Sequence, residues 1–113
     1  MKMLIAGEWV DKKEKIPVYR PFDGKLIDHV PAATKEDVSR AIDAAAQGFQ
    51  VSRKMPVHKR MEILWKVVDY LKANFDDFAR TIASEGSKTI REARKETARC
   101  INTISISAEE ARR

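Results

Sequence analysis

Hydrophobic positions in this chain follow two spacings, and the change falls near residue 34. Before it, apolar residues alternate over short runs, as in strands. Leu4-Ile5-Ala6 and Trp9-Val10 flank Gly7-Glu8, which predicts a tight hairpin turning on those two residues, since glycine tolerates positive φ. After the polar connection Asp11-Lys12-Lys13-Glu14-Lys15, Ile16 and Val18 alternate with Pro17 and Tyr19. Further on, Leu26, Asp28 and Val30 alternate with Ile27 and His29. These predict a second pair of strands, joined through Pro21-Phe22-Asp23-Gly24 with Gly24 in the left-handed position. Pro17 and Pro31 cannot donate to a ladder, so these strands are edges or short.

From residue 34 the period becomes helical. Thr34 followed by Lys35-Glu36-Asp37 reads as an N-cap with acids in the first turn, and Val38, Ala41, Ile42, Ala45 and Phe49 recur on one side. Met55-Pro56 breaks that helix, and Pro56 suits the first position of the next. Met61, Leu64, Trp65, Val68, Leu71 and Phe75 give its stripe. Asn74 with Asp77 offers a fresh cap; Phe75, Phe78, Ala79 and Ile82 continue an apolar face to Glu85-Gly86-Ser87, with Gly86 near the C-cap. A last helix starts around Thr89 with Ile90, Ala93, Thr97, Cys100, Ile101, Ile104, Ala108 and Ala111 on one side. Its middle, Ile101 to Ser107, also alternates like a strand, while the Ala108–Arg113 end favours helix by propensity.

The expected class is α+β: antiparallel hairpins over 1–33, then three to four amphipathic helices over 34–113. With 113 residues there is room for one domain and a modest core. Two short hairpins cannot cover several helical apolar faces. The chain also ends on Glu109-Glu110-Ala111-Arg112-Arg113 without a capping glycine. Both features predict an exposed apolar surface whose partner lies in sequence absent here, with dimerisation as the competing explanation.

Composition narrows the chemistry. Hydrophobic residues make up 43% and charged residues 35%, with a formal net charge of +5, which fits a folded chain and only a weak pull on anions. No apolar run approaches the roughly 18 residues of a membrane span, and the early charges argue against a secretory leader. The single cysteine excludes an internal disulfide and points to a reducing, cytoplasmic compartment. No phosphate-binding glycine loop and no Gly-x-Ser-x-Gly elbow occurs. His29 and His58 lack metal-ligand spacing. Cys100, on the apolar side of its helix, reads as a buried structural cysteine rather than a nucleophile. Trp9 and Trp65 fit apolar stripes and read as core. Arg91, Arg94, Lys95 and Arg99 share a helix flank that could meet nucleic-acid phosphates. Glu92 and Glu96, paired at i, i+3 with Lys95 and Arg99, make it read as a solvated face.

Several segments, taken in order, resemble the aldehyde dehydrogenase superfamily. Met3-Leu4-Ile5-Ala6-Gly7-Glu8-Trp9-Val10 is similar to its opening Ile-x-Gly-x-Trp signature, and Val18 to Ile27 to its Asn-Pro-x-x-Gly-x-x-Ile segment. Val30 to Val38 with Ala41-Ile42-Asp43-Ala44-Ala45 resembles its first helix, and Arg60-Met61-Glu62-Ile63-Leu64 the opening of its second. Glu85 to Glu96 resembles Glu-x-Gly-Lys-Pro-Ile-x-Glu-Ala-x-x-Glu, and Ala108-Glu109-Glu110-Ala111 closes the series. Arg20 stands for the family's usual Asn, Ser87 for its Gly and Thr89 for its Pro. The change at Ser87 predicts that the turn shifts one residue, onto Gly86.

The resemblance implies the N-terminal portion of the NAD(P)-binding domain of a larger α/β enzyme. That enzyme oxidises an aldehyde with NAD or NADP through a cysteine thiohemiacetal held in an oxyanion hole. Its nucleophile motif, general-base glutamate and main cofactor contacts lie downstream, so the resemblance assigns no catalytic or cofactor-binding residue here, and the piece alone is inactive. It implies an aldehyde substrate, the remainder of the dehydrogenase chain as partner, and a homo-oligomer (dimer or tetramer), with no membrane and no nucleic acid. Two sites carry over. Glu85 with the backbone carbonyls of Val18 and Tyr19 matches a monovalent-cation site of some members. Arg99, in Glu96-Thr97-Ala98-Arg99, matches an arginine that faces the substrate tunnel in members acting on anionic aldehydes. The alternative from another class is a stand-alone basic helical module binding nucleic acid or a partner protein.

Overall fold

The computed structural model describes residues 1–112; Arg113, the last residue of the charged tail, lies outside the described residues. Strand β1 (Met3–Ile5) pairs antiparallel with β2 (Glu8–Val10), and β3 (Lys15–Tyr19) with β4 (Leu26–Pro31). Four helices follow: α1 (Lys35–Ser52), α2 (Val57–Ala73), α3 (Phe75–Glu85) and α4 (Ile90–Glu110). The expected α+β class and element order hold. The ambiguous stretch at residues 101–107 is helical, inside α4.

The chain divides into two compact units rather than one. One holds Met1–Tyr19 and Gly24–Lys54; the other holds Arg20–Asp23 and the chain from Met55 onward. The helix break at Met55-Pro56 is the seam, and α1 belongs with the hairpins.

In the first unit, the β1–β2 turn sits one residue earlier than expected. Ala6 and Gly7 both have positive φ, 54° and 83°, which marks a type I′ turn on that pair rather than on Gly7-Glu8. Gly24 takes the left-handed position as expected (φ 68°). The register Leu4↔Trp9 puts both side chains on the bare face of the hairpin while Ile5 turns inward, so Trp9 is 68% exposed and not core. At the start of α1 a capping box closes. Asp37 N–H donates to Thr34 Oγ1, and Thr34 N–H donates to the Asp37 carboxylate at 3.0 Å. Lys12 Nζ lies 2.7 Å from that same carboxylate. The Lys12 ammonium first, then the Thr34 N–H, holds Asp37 at a pKa of about 2. Asp37 is the one buried side chain of α1; Val38, Ile42 and Phe49, on its apolar stripe, are exposed.

The second unit is a helical packing of α4 on α2 and α3. Val68 and Leu71 from α2, Ala79 from α3, and Ala93, Thr97 and Ala108 from α4 are buried, while Trp65 is half-buried. Small residues at the crossings let the backbones approach. Thr97 solves its burial by donating its hydroxyl to Ala93 O at 3.0 Å. Pro56 sits at the N-cap of α2, one place before the expected first helical position. Asn74 caps backwards: its Nδ2 donates to Tyr70 O at 2.8 Å, closing α2, and no side chain caps α3.

The α3–α4 connection overturns one expectation. Gly86 has φ −105°, and the left-handed residue is Ser87 at φ 56°. The turn has not moved onto Gly86. Ser87 carries the conformation itself, and Gly86 is needed for a different reason. A Cβ there would lie 2.8 Å from Ile82 O, inside contact distance of the last turn of α3.

Candidate functional site

Arg99 stands on α4, whose start is set rigidly. Thr89 caps the helix: Glu92 N–H donates to Thr89 Oγ1 at 3.3 Å, and the Glu92 carboxylate accepts from Thr89 N–H at 3.1 Å and from its hydroxyl at 2.8 Å. Three turns of α4 are then pinned by the buried Ala93, Thr97 and Ala108. The opposite face carries Lys95 and Arg99, both exposed.

Lys95 and Arg99 line a surface cleft of about 540 Å³ with Ser87, Lys88, Glu92 and Glu96. Its two carboxylates are already committed. Glu92 serves the cap, whose Thr89 bonds hold its pKa down. Glu96 is paired with Lys88 Nζ, which lowers its pKa, and Arg99 adds a smaller Coulombic pull. The expected i, i+3 pairs Glu92–Lys95 and Glu96–Arg99 are therefore not formed as ion pairs. The cap and Lys88 take those carboxylates instead. Among the described residues, neither the Lys95 ammonium nor the Arg99 guanidinium makes a hydrogen bond or ion pair. A larger cleft of about 700 Å³ also includes Ser87 and Lys88, with Arg20, Phe22, Arg80 and Ile90 in its wall.

The other sequence-derived residues fall as follows. Glu85 is exposed at the last position of α3, in the second unit. Val18, half-buried, and Tyr19, exposed, end β3 in the first unit, where the ladder with β4 slips register. Cys100 is exposed, not the buried structural cysteine expected, because α4 turns Ile101 and Ile104 rather than Cys100 toward its neighbours. The basic flank is broken up: Arg94 is bonded to Asp76 at 2.8 Å, across to α3, and Lys88 to Glu96. No local pattern signals the Lys88–Glu96 and Arg94–Asp76 pairs, which span eight and eighteen positions.

The strand-to-helix step from β4 to α1 runs through Ala32-Ala33-Thr34, without glycine. The Asp37 carboxylate accepts from the N–H of the N-cap residue Thr34 at the start of α1. Glu92 does the same in α4. No group of three or more His, Cys, Asp or Glu side chains is placed to hold a metal ion among the described residues. No helix there is long and apolar enough to cross a membrane.

Antiparallel hairpins are followed by a helical unit with a cation-lined cleft, and comparison with known proteins says which family has this arrangement. The model of the aldehyde dehydrogenase family matches residues 9–113, and the chain belongs to that family. It is 43% identical over 98 residues to a putative aldehyde-dehydrogenase-like protein of Sinorhizobium fredii, covering 87% of this chain and 19% of that one. It is 36% identical to a malonate-semialdehyde dehydrogenase of Bacillus pumilus (96% and 23%) and 34% identical to a 3-sulfolactaldehyde dehydrogenase of Priestia aryabhattai (98% and 23%). Among solved structures, aldehyde dehydrogenase 21 of Physcomitrella patens, in complex with the reaction product succinate, superposes with a TM-score of 0.93 at 34% identity, covering 96% of this chain and 23% of that one. The NADP-dependent glyceraldehyde-3-phosphate dehydrogenase of Bacillus halodurans, complexed with NADP, gives 0.94 at 29% identity (99% and 24%). The chain thus spans about a fifth to a quarter of the length of the relatives it matches.

Proposed function

We propose that this chain supplies the N-terminal portion of the NAD(P)-binding domain of an aldehyde dehydrogenase acting on an anionic aldehyde, and that Arg99 pairs with the substrate's anion. The observation that carries this reading is the state of the Arg99 cleft: its carboxylates are committed to a helix cap and to Lys88, and its outward cations are not. A guanidinium held on a pinned helix offers two parallel N–H donors to a carboxylate or a larger oxyanion. The named relatives act on a malonate semialdehyde and a sulfo-aldehyde, both anionic.

In this reading the chemistry is supplied elsewhere. The thiol that attacks the aldehyde carbon, the glutamate that activates water and the NAD(P) contacts come from the remainder of the dehydrogenase chain, and this portion by itself turns over no substrate. Its bare apolar residues on α1 (Val38, Ile42, Phe49) are then the surface which that remainder covers. The carboxylate of Glu85 is the proposed ligand of a monovalent cation; Glu85→Gln should abolish a Na⁺ or K⁺ dependence of thermal stability in the assembled enzyme. A cytoplasmic dimer or tetramer is the assembly this reading implies.

The test is kinetic. In an assembled enzyme carrying this segment, Arg99→Ala should raise KM for an anionic aldehyde by about 10- to 100-fold, the size of a lost charge-assisted hydrogen bond, and leave a neutral aldehyde nearly unchanged. Equal effects on both would refute the role.

A further inference from the structure

We propose that Lys95 is the second cation of the Arg99 cleft, and that the two together favour aldehydes ending in a tetrahedral oxyanion, a group with three terminal oxygens, over those ending in a planar carboxylate. The inference rests on the reading of Arg99 given above.

Lys95 precedes Arg99 by four residues on α4, so the two side chains leave the same face one turn apart, with Cβ atoms roughly 5–6 Å from each other. Both are exposed, and both line the same cleft. The third cation there, Lys88, is bonded to Glu96 and brings no uncompensated charge. Glu92, three residues before Lys95 on α4, accepts the Thr89 N–H and hydroxyl on its Oε2. It feels Lys95 only through a minor Coulombic pull. The cleft therefore presents one planar fork and one point charge to an incoming anion.

Those two donors are not equivalent. A guanidinium matches a carboxylate edge to edge, and that contact uses both carboxylate oxygens. A sulfonate or phosphonate can present two oxygens to Arg99 and still turn a third toward the flexible Lys95 ammonium, which has three donors of its own. Lys95 thus adds more to a three-oxygen headgroup than to a two-oxygen one.

The experiment is an NMR titration of the ¹⁵N-labelled 113-residue chain at low ionic strength with methanesulfonate, methylphosphonate and acetate. The three-oxygen anions should bind about threefold more tightly than acetate, the scale of one exposed ion pair. Lys95→Met should erase that difference while leaving the acetate Kd unchanged, and Lys95→Arg should restore it. Equal gains for methanesulfonate and methylphosphonate assign the preference to shape and point to sulfonates as well as phosphoryl groups. A gain confined to methylphosphonate above its second pKa would reflect charge rather than the third oxygen and would overturn the inference. If Arg99→Ala weakens all three anions but Lys95→Met leaves their ratio unaltered, the Lys95 inference falls and the Arg99 reading stands. If Arg99→Ala changes no Kd, or no anion shifts any resonance of the cleft, both fall.

Discussion

Replacing Ser87 with glycine should stabilise the helical unit, even though it deletes a side chain and no buried contact is gained. Ser87 is a non-glycine residue at φ 56°, where Cβ crowds the following carbonyl. That conformation costs an L-residue about 1–2 kcal/mol. Glycine removes the cost but gives the unfolded chain more freedom, which returns about 0.5–1 kcal/mol. The expected net gain is about 0.5–1 kcal/mol, or a rise in Tm of roughly 4 °C for a unit of this size. Its neighbour should respond in the opposite sense. Gly86→Ala puts a methyl 2.8 Å from Ile82 O, a backbone atom that cannot swing away. Overpacking of that kind costs about 1–3 kcal/mol, against a gain of under 1 from the stiffer unfolded chain. Urea unfolding followed by helical circular dichroism reads both. A lower midpoint for Ser87→Gly, or a Gly86→Ala midpoint that is unchanged or raised, would sink the reasoning.

Three further outcomes follow from the packing and the caps. The Asp37 carboxyl, pulled from 3.8 to about 2 by Lys12 and Thr34, contributes stability that is complete above about pH 4 and is lost as the pH falls toward 2. Wild type and Asp37→Asn should therefore differ at pH 6 and converge near pH 2 in thermal melts. Thr34→Ala removes the N-cap acceptor of α1 and should cost about 1 kcal/mol, read as a lower urea midpoint; an unchanged midpoint would mean the capping box is not formed in solution. Val68→Ala empties a fully buried site on α2 and should cost about 2 kcal/mol with little change in the slope of the urea curve.

What could be read from the residues alone is what neighbours in the chain decide among themselves. Thr34 with Asp37 and Thr89 with Glu92 are capping partners three residues apart. Gly24 ends its own turn, and Val68, Leu71, Ala93 and Thr97 mark their faces by helical period. The family was legible for the same reason, since its signatures are local strings. Position of the left-handed residue was not legible. Gly86 and Ser87 compete for it, and glycine is the better candidate by propensity; the close approach of Ile82 O to Gly86 reserves the glycine for contact and forces the serine into the strained place. Nor could the sequence say which apolar side chains find cover. Trp9 and Cys100 sit in apolar strings, yet strand register and the rotation of α4 leave both exposed.

The sequence by itself determined the elements, the cap of α1 and the family, because each depends on residues within a turn or two of one another. Tertiary structure alone decided that Lys88 would take Glu96 and that Arg94 would take Asp76, leaving Lys95 and Arg99 facing outward. Charges choose partners through space: Glu96 bonds the Lys88 ammonium from the connecting turn although Arg99 lies three residues along its own helix.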